Sequence, residues 1–363
     1  MLFQKLWIAI ENFVIIHFYE RLLVRKKAEK LYLVLGGHIF FQTLAAASEL
    51  DLFSMLAASG PLPLNEIAKK LHLEEKPARI LLLGCVTLGL LKKRGETYEN
   101  SLVAKKVLCK GAPQNIQAII LWQKYINYKA MSHFTEALIK NKNVGLEEFQ
   151  GDEKTLYERL AHTKQLEDIF QDAMEEISSL ANALLVRYVD FSRTTSLVDI
   201  GGGNGANVIM LAKKYPQLKA SVFDSPTVCT VARERFASSG AGERLSAVPG
   251  DCFRDPFPEG NDCILFCHFL TIWSEDKNIQ LLKKAHEALP EGGRVIVFNM
   301  MQDEDGSGPI SAAMGSPYFL TLATGEGMLY STNEYIAWMK EAGFRSVKKS
   351  RLPRDHYVII GTK

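Results

Sequence analysis

The sequence predicts an α/β chain: a mainly helical N-terminal part with a winged-helix rhythm, followed by a C-terminal Rossmann-like domain. Three observations predict it. From about residue 190, short apolar runs alternate with amphipathic stretches, the pattern of parallel strands joined by helices. The stretch SLVDIGGGNGANVIM (196–210) sets glycines 201, 203 and 205 between an apolar strand and a helix. Upstream, residues 62–108 read as two helices followed by a hairpin turning at Gly95.

Composition sets the outer bounds. The 363 residues are 47% apolar and 23% charged, an ordinary globular balance with room for about two domains. A net charge of +2 gives no electrostatic case for nucleic acid as the main partner. The six cysteines (Cys85, Cys109, Cys229, Cys252, Cys263 and Cys267) lack paired zinc-ligand spacing. They read as reduced core residues of a cytoplasmic protein.

The elements follow in order. In MLFQKLWIAIENFVIIHFYERLLVRKK (1–27), Phe3, Leu6, Trp7, Ile10 and Val14 recur at helical spacing. Lys5, Glu11, His17 and Glu20 interrupt the run, which excludes a spanning helix of about 20 apolar residues and a signal peptide. The stretch reads as a helix buried on another chain, with membrane-surface contact through Arg25, Lys26 and Lys27 as the rival. Asn65 is a candidate cap for a helix over Glu66–Leu71, and a longer helix is expected over Glu74–Leu91. A DNA-reading helix needs polar side chains for base edges, whereas Ile80–Val86 offers mostly hydrocarbon. A homodimer surface explains that helix better than a DNA-binding regulator does. Residues 111–185 are helical, with Trp122, Tyr125, Tyr128 and Phe134, and end in a helix pair over Tyr157–Tyr188. The expected division is 1–110 for dimerisation, 111–185 as substrate roof and linker, and 186–363 as the Rossmann-like domain.

In that last region, glycines at 201 and 203 allow a tight turn and close approach of a ligand to the backbone. A second strand ends in Asp224, where a carboxylate can accept both ribose hydroxyls. A third ends in Asp251, suited to an adenine amino group, with Cys252 and Phe253 beside the ring. A GxGxG turn with acids after both strands favours S-adenosylmethionine. A nicotinamide dinucleotide would more often show GxGxxG.

With these residues on view, the sequence resembles the small-molecule O-methyltransferases of the caffeate and hydroxyindole type. The resemblance rests on LVDIGGGNG, FDSP, PGDCF, LPEGGRVIVFNMM (289–301) and STNEYIAWMKEAGF (331–344), with FQDAM (170–174) like the family's segment over the active site. It spans nearly the whole chain and is weakest before residue 30. It implies a homodimer acting on a small, largely apolar or aromatic metabolite of secondary metabolism. It also implies that Gly201, Gly203, Asp224 and Asp251 hold S-adenosylmethionine and that Cys252 and Phe253 flank its adenine.

The chain departs from that family where the chemistry lies. The family's His-Asp-Trp triplet after the fourth strand is Thr271-Ile272-Trp273 here. Asn299 replaces a glutamate after the fifth strand, Leu329 replaces a further acid, and Cys267 replaces a basic residue among the cofactor contacts. GEGMLYS (325–331) and RDHYVIIGTK (354–363) instead resemble bacteriochlorophyll-type C-methyltransferases. Three readings follow. The leading one is methyl transfer without a base, to an electron-rich acceptor such as an activated ring carbon. The second moves the base to His268, expected near the sulfonium. His133, His162, Tyr125 and Tyr318 are further polar residues of the substrate side, and Thr271 could hold a substrate oxygen. The third keeps S-adenosylmethionine but uses its positive charge for non-methylating chemistry.

Overall fold

The computed structural model describes residues 25–363 and, before them, residues 7, 8, 10, 11, 13 and 14. The helix expected over residues 1–27 therefore lies largely outside the described residues. The chain divides into two units, residues 1–124 and 125–363.

In the first unit, helices α1 (Arg25–Leu35), α2 (Gly37–Glu49) and α3 (Leu52–Ser59) precede a short strand β1 (Leu62–Pro63). Helices α4 (Leu64–Lys70) and α5 (Glu75–Thr87), hairpin strands β2 (Leu91–Arg94) and β3 (Thr97–Asn100), and helices α6 (Leu102–Val107) and α7 (Gln117–Trp122) complete it. The hairpin turns at Gly95, whose φ of 57° is the left-handed conformation that glycine adopts without strain. Strand β1 adds to β3, giving a three-stranded wing.

Two local expectations shift. Helix α4 begins at Leu64 after Pro63, so Asn65 lies inside its first turn instead of capping it. Helix α5 stops at Thr87 because Leu91 is taken by the hairpin, where it pairs with Asn100. One face of α5 buries Leu82 and Cys85 in a core with Phe53 and Ile67. The other leaves Ile80 and Leu83 63% and 68% exposed, hydrocarbon where a DNA-reading helix would present polar groups. No single helix among the described residues is long and apolar enough to cross a membrane.

The second unit opens with helices α8 (Phe134–Lys140), α9 (Leu156–Leu160) and α10 (Lys164–Tyr188). A seven-stranded sheet follows, interleaved with helices: β4 (Ser196–Ile200), α11 (Ala206–Lys214), β5 (Lys219–Asp224), α12 (Pro226–Ser238), β6 (Leu245–Pro249), β7 (Cys263–Cys267), α13 (Glu275–Ala288), β8 (Arg294–Met300), α14 (Ile310–Tyr318), α15 (Thr332–Glu341), β9 (Ser346–Arg351) and β10 (His356–Thr362). Their order is β6-β5-β4-β7-β8-β10-β9. Strands β4 to β8 run parallel, and β10 returns antiparallel between β8 and β9.

This order fixes the position of a site. From β4 the chain winds outward through β5 and β6, then crosses back to lay β7 and β8 on the other side. The carboxyl ends of β4 and β7 thus form a topological switch point, where open α/β sheets leave a crevice. Helices cover both faces, so the central strands read as continuous apolar runs such as Cys263-Ile264-Leu265-Phe266, all fully buried.

Helix α15 starts with a capping box. The Ser331 hydroxyl accepts from the Glu334 amide, and the Glu334 carboxylate accepts from the Ser331 amide at 2.7 Å. Ser331→Ala should cost ~1 kcal/mol of unfolding free energy, read from the urea midpoint at unchanged slope.

Candidate active site

The glycine turn after β4 is built by backbone geometry. Gly201, Gly203 and Gly205 have φ of 70°, 58° and 78°. A side chain at Gly201 would also collide with the Phe269 ring, 2.1 Å from an added Cβ. Gly203 faces open space, with nothing within 4 Å of where a Cβ would stand, and its amide donates to Asp224 Oδ2 at 3.0 Å. The other Asp224 oxygen accepts from the Ser225 amide at 2.7 Å, and burial raises this carboxyl above its ordinary pKa. Two strand ends are thereby tied together at the switch point.

Asp251 lies two residues beyond β6, with its carboxylate accepting from the Phe253 amide at 2.8 Å and paired with Arg254 at 3.5 Å. The half-buried Phe253 ring meets Trp273 edge-on at 4.8 Å, and Lys277 Nζ lies over both rings, 5.2 and 4.8 Å from their centroids. Burial pushes the Cys252 thiol up to about 12, so it is neutral and apolar in character.

The family's acid–base positions are absorbed into the protein interior. Thr271 is 2% exposed and its hydroxyl donates to the His268 carbonyl at 3.4 Å, so its proton is engaged within the protein. Asn299 is fully buried and donates to the Tyr335 hydroxyl at 3.1 Å. Leu329 is 2% exposed. The segment 324–330 braces the loop after β7 through that loop's main-chain carbonyls and is tied to helix α13 by an ion pair. Thr324 donates to the Ile272 carbonyl, Tyr330 donates to the Trp273 carbonyl at 2.7 Å, and Lys277 pairs with Glu326 at 2.7 Å. Only a glycine fits at 327, because a Cβ there would stand 2.0 Å from the Thr271 carbonyl oxygen. The GEGMLYS motif therefore has a structural use that its sequence did not disclose.

His268, expected near the sulfonium as a displaced base, is packed among aromatic rings. Its φ of 52° swings the ring onto Phe298 and His356, both at 5.1 Å between centroids. Burial lowers its pKa to about 3, so at neutral pH it is a poor proton acceptor. His133 has a carboxylate partner instead: Nε2 lies 3.1 Å from Glu148 Oε1, and that hydrogen bond raises its pKa. His162 is similarly placed 2.8 Å from Glu153. Tyr318 and Tyr157 hydrogen-bond to each other, and burial raises both, Tyr157 to about 12.

Sequence reasoning missed one group. Asp199, read as part of an apolar strand, is fully buried and accepts from Asn207 Nδ2 at 3.0 Å. Burial, reinforced by Asp224, raises it to about 7. Beside it, the Cys267 thiol donates to Asn182 Oδ1 at 3.9 Å. The only sequence signal was an acid set among three apolar residues, Leu197, Val198 and Ile200.

Comparison with known proteins shows the family of the chain. Residues 132–345 match the O-methyltransferase domain, and residues 32–110 match the O-methyltransferase dimerisation domain. The chain belongs to the O-methyltransferase family. It is a methyltransferase whose methyl donor is S-adenosylmethionine, and it carries the family's dimerisation module. The L-tyrosine C(3)-methyltransferase of Streptomyces lavendulae is 38% identical over 339 residues, 92% of this chain and 93% of that one. The structure of the S-adenosylmethionine-dependent methyltransferase SibL in its apo form aligns with a TM-score of 0.83 at 37% identity, over 92% of this chain and 98% of that one. Human N-acetylserotonin methyltransferase in complex with S-adenosylmethionine aligns with a TM-score of 0.81 at 27% identity, over 93% and 97%.

The His268 environment predicts a pH dependence of stability. Its folded pKa of about 3 lies below the ordinary 6.5, so the unfolded chain takes up the proton first as pH falls. Stability should therefore drop as pH falls from 6.5 towards 3, by at most ~1.4 kcal/mol per pH unit from this group. In His268→Asn, which keeps a residue tolerant of positive φ, the loss between pH 7 and pH 5 should be smaller than in wild type. Equal losses in urea titrations of the two proteins would contradict the assignment.

Proposed function

We propose that this methyltransferase acts on a small phenolic or related aromatic metabolite and delivers the methyl group to an electron-rich ring carbon, without a histidine base after the fourth strand. The observation carrying this reading is the fate of the acid–base positions: Thr271, Asn299 and Leu329 are each at most 2% exposed and packed into the interior. The relative that acts at C(3) of L-tyrosine supports a ring carbon as acceptor.

S-adenosylmethionine supplies an activated methyl group on a sulfonium. The residues fit it. The open space over Gly203 admits the cofactor backbone, and Asp224, held by two amides, can still accept from a ribose diol. Asp251 would take the adenine amino group, with Cys252 and Phe253 against the ring and Gly201 and Cys267 lining the turn side. Lys277 and Trp273 fix the Phe253 ring from above.

The ring carbon beside a phenolic hydroxyl is nucleophilic through the oxygen lone pair. The protein's main task is then to orient it, which can contribute ~7–11 kcal/mol, and to keep water out. A positioned base would add about 10²–10⁴-fold.

A second reading, the displaced base, is favoured by the His133–Glu148 hydrogen bond at 3.1 Å, an imidazole oriented by a carboxylate. The turn over Met131–His133 packs on the π-helical turn Phe319–Ala323, which in turn packs on Leu270–Ile272. His133→Gln distinguishes the two. Under the base-free reading, kcat with L-tyrosine or another methylated phenol should stay within tenfold and the profile between pH 6 and 8 should keep its shape. A fall beyond about 10²-fold with cofactor affinity intact would select the displaced base. Fragment masses of the product locate the methyl on carbon or oxygen.

Asp224→Ala should weaken S-adenosylmethionine binding by upwards of about tenfold, since each charged hydrogen bond lost is worth about 1.5–3 kcal/mol. Wild-type affinity in that variant, measured by calorimetry, would remove Asp224 from the site.

A further inference from the structure

Helix α9 and the end of α14 bring two tyrosine hydroxyls together. A capping box between Thr155 and Glu158 fixes the first turn of α9, which carries Tyr157. Leu156 and Leu160 of that helix are buried, whereas Tyr157 is half-buried, its ring edge-on to Phe170 of α10 at 5.7 Å. Tyr318 is the last residue of α14. The π-helical turn Phe319–Ala323 that follows it packs on both α9 and Leu270–Ile272. Phe269, next in the chain to Leu270, is the ring that lies against Gly201. A short path of packed residues thus leads from the glycine turn to the tyrosine pair, with the half-buried Phe319 ring 5.3 Å from that of Tyr318.

The hydrogen bond between the two hydroxyls has a direction. Tyr318 donates and Tyr157 accepts, so the contact lowers the pKa of Tyr157 and raises that of Tyr318. The Tyr157 hydrogen is left over, and among the described residues no other group accepts it. No charged side chain bears on either hydroxyl; burial and the partner tyrosine set both. Burial pushes Tyr157 up to about 12, so it keeps its proton where an ordinary phenol, at about 10, gives one up.

We propose that the Tyr157 hydroxyl donates to the phenolic oxygen of the substrate, with Tyr318 behind it as a positioning residue, and holds that oxygen as phenolate while the neighbouring ring carbon takes the methyl group. This rests on the substrate reading above and names the group recognised: a free hydroxyl ortho to the carbon that is methylated. A hydrogen bond to the charged form lowers the pKa of the bound phenol, and donation from Tyr318 polarises Tyr157 and strengthens that bond. The phenolic proton leaves to solvent as the substrate binds. The ionised oxygen feeds the ortho carbon, which forms the carbon–carbon bond as the sulfur–methyl bond breaks and its electron pair stays on sulfur. The ring proton on that carbon then leaves to water and aromaticity returns. Tyr157 keeps its own proton throughout. Hydrogen bonding thereby supplies the electron-rich acceptor that a base would otherwise make, and it engages the oxygen that competes for the methyl group.

The probe is 4-nitrophenol, whose ionised form is coloured, bound in the presence of S-adenosylhomocysteine so that nothing turns over. An absorbance titration reads the pKa of the bound probe. In wild type it should lie below that of the free probe by about one unit or more, the scale of one charge-assisted hydrogen bond. Tyr157→Phe should raise it back towards the free value while S-adenosylmethionine affinity stays at the wild-type level. Tyr318→Phe, which leaves Tyr157 in place, should raise it by a smaller step and covers the case that the first variant fails to fold. A merely structural role would change the amount of probe bound and leave its pKa alone. A bound probe with the free pKa in wild type, or a bound pKa unmoved in either variant, overturns this inference and leaves the phenolic substrate standing. Failure of wild type to bind the probe would overturn both.

Discussion

The hydrogen bond from the Gly203 amide to Asp224, 3.0 Å long, joins the loop after β4 to the end of β5. The rest of the site is arranged around that junction. Because the sheet order places β5 on one side of β4 and β7 on the other, the glycine turn stands where the chain changes direction across the parallel strands. The turn can lie flat on the sheet edge because glycine accepts positive φ at 201 and 203. Any side chain there would meet Phe269 or fill the space over Gly203.

On the β7 side of the turn, packing has replaced acid–base chemistry. Thr271, Asn299 and Leu329 hold their neighbours instead of a substrate proton, and the loop from His268 to Trp273 is fastened by Thr324, Gly327 and Tyr330. Those contacts fall on main-chain atoms of Thr271, Ile272 and Trp273, so they tolerate loss of the histidine and aspartate side chains. A rigid loop at this place suits a reaction driven by orientation, in which the acceptor atom is already electron-rich. On the base-free reading proposed above, the methyl donor carries its own driving force, and the enzyme's contribution is alignment and exclusion of water.

The electrostatics of the edge follow from burial more than from charge count. Asp199 and Asp224 are both raised by desolvation, Asp199 to about 7, and His268 is lowered to about 3 by the same cause acting on a base. In all three, burial works against the charged form.

Much of this was legible in the amino-acid order. Strand β4, the glycine turn and helix α11 follow from local periodicity and glycine chemistry, and their boundaries need no distant partner. The acids after β5 and β6 and the missing base are visible as residue identities at fixed spacing. Where local signals competed with strand pairing, the pairing decided: α5 stops early because Leu91 pairs with Asn100, and Asn65 gives way as cap to Pro63, which pairs with Thr97 and precedes a helix that starts at Leu64. The sequence by itself determined which residues stand at the strand ends. Only the tertiary structure decided what they face. His268 turns to Phe298 and His356 because of one backbone angle, and the Asp199 carboxyl is pushed up to about 7 because the folded chain buries it. A side chain's charge state and direction depend on neighbours brought from far along the chain, and sequence spacing carries no record of them.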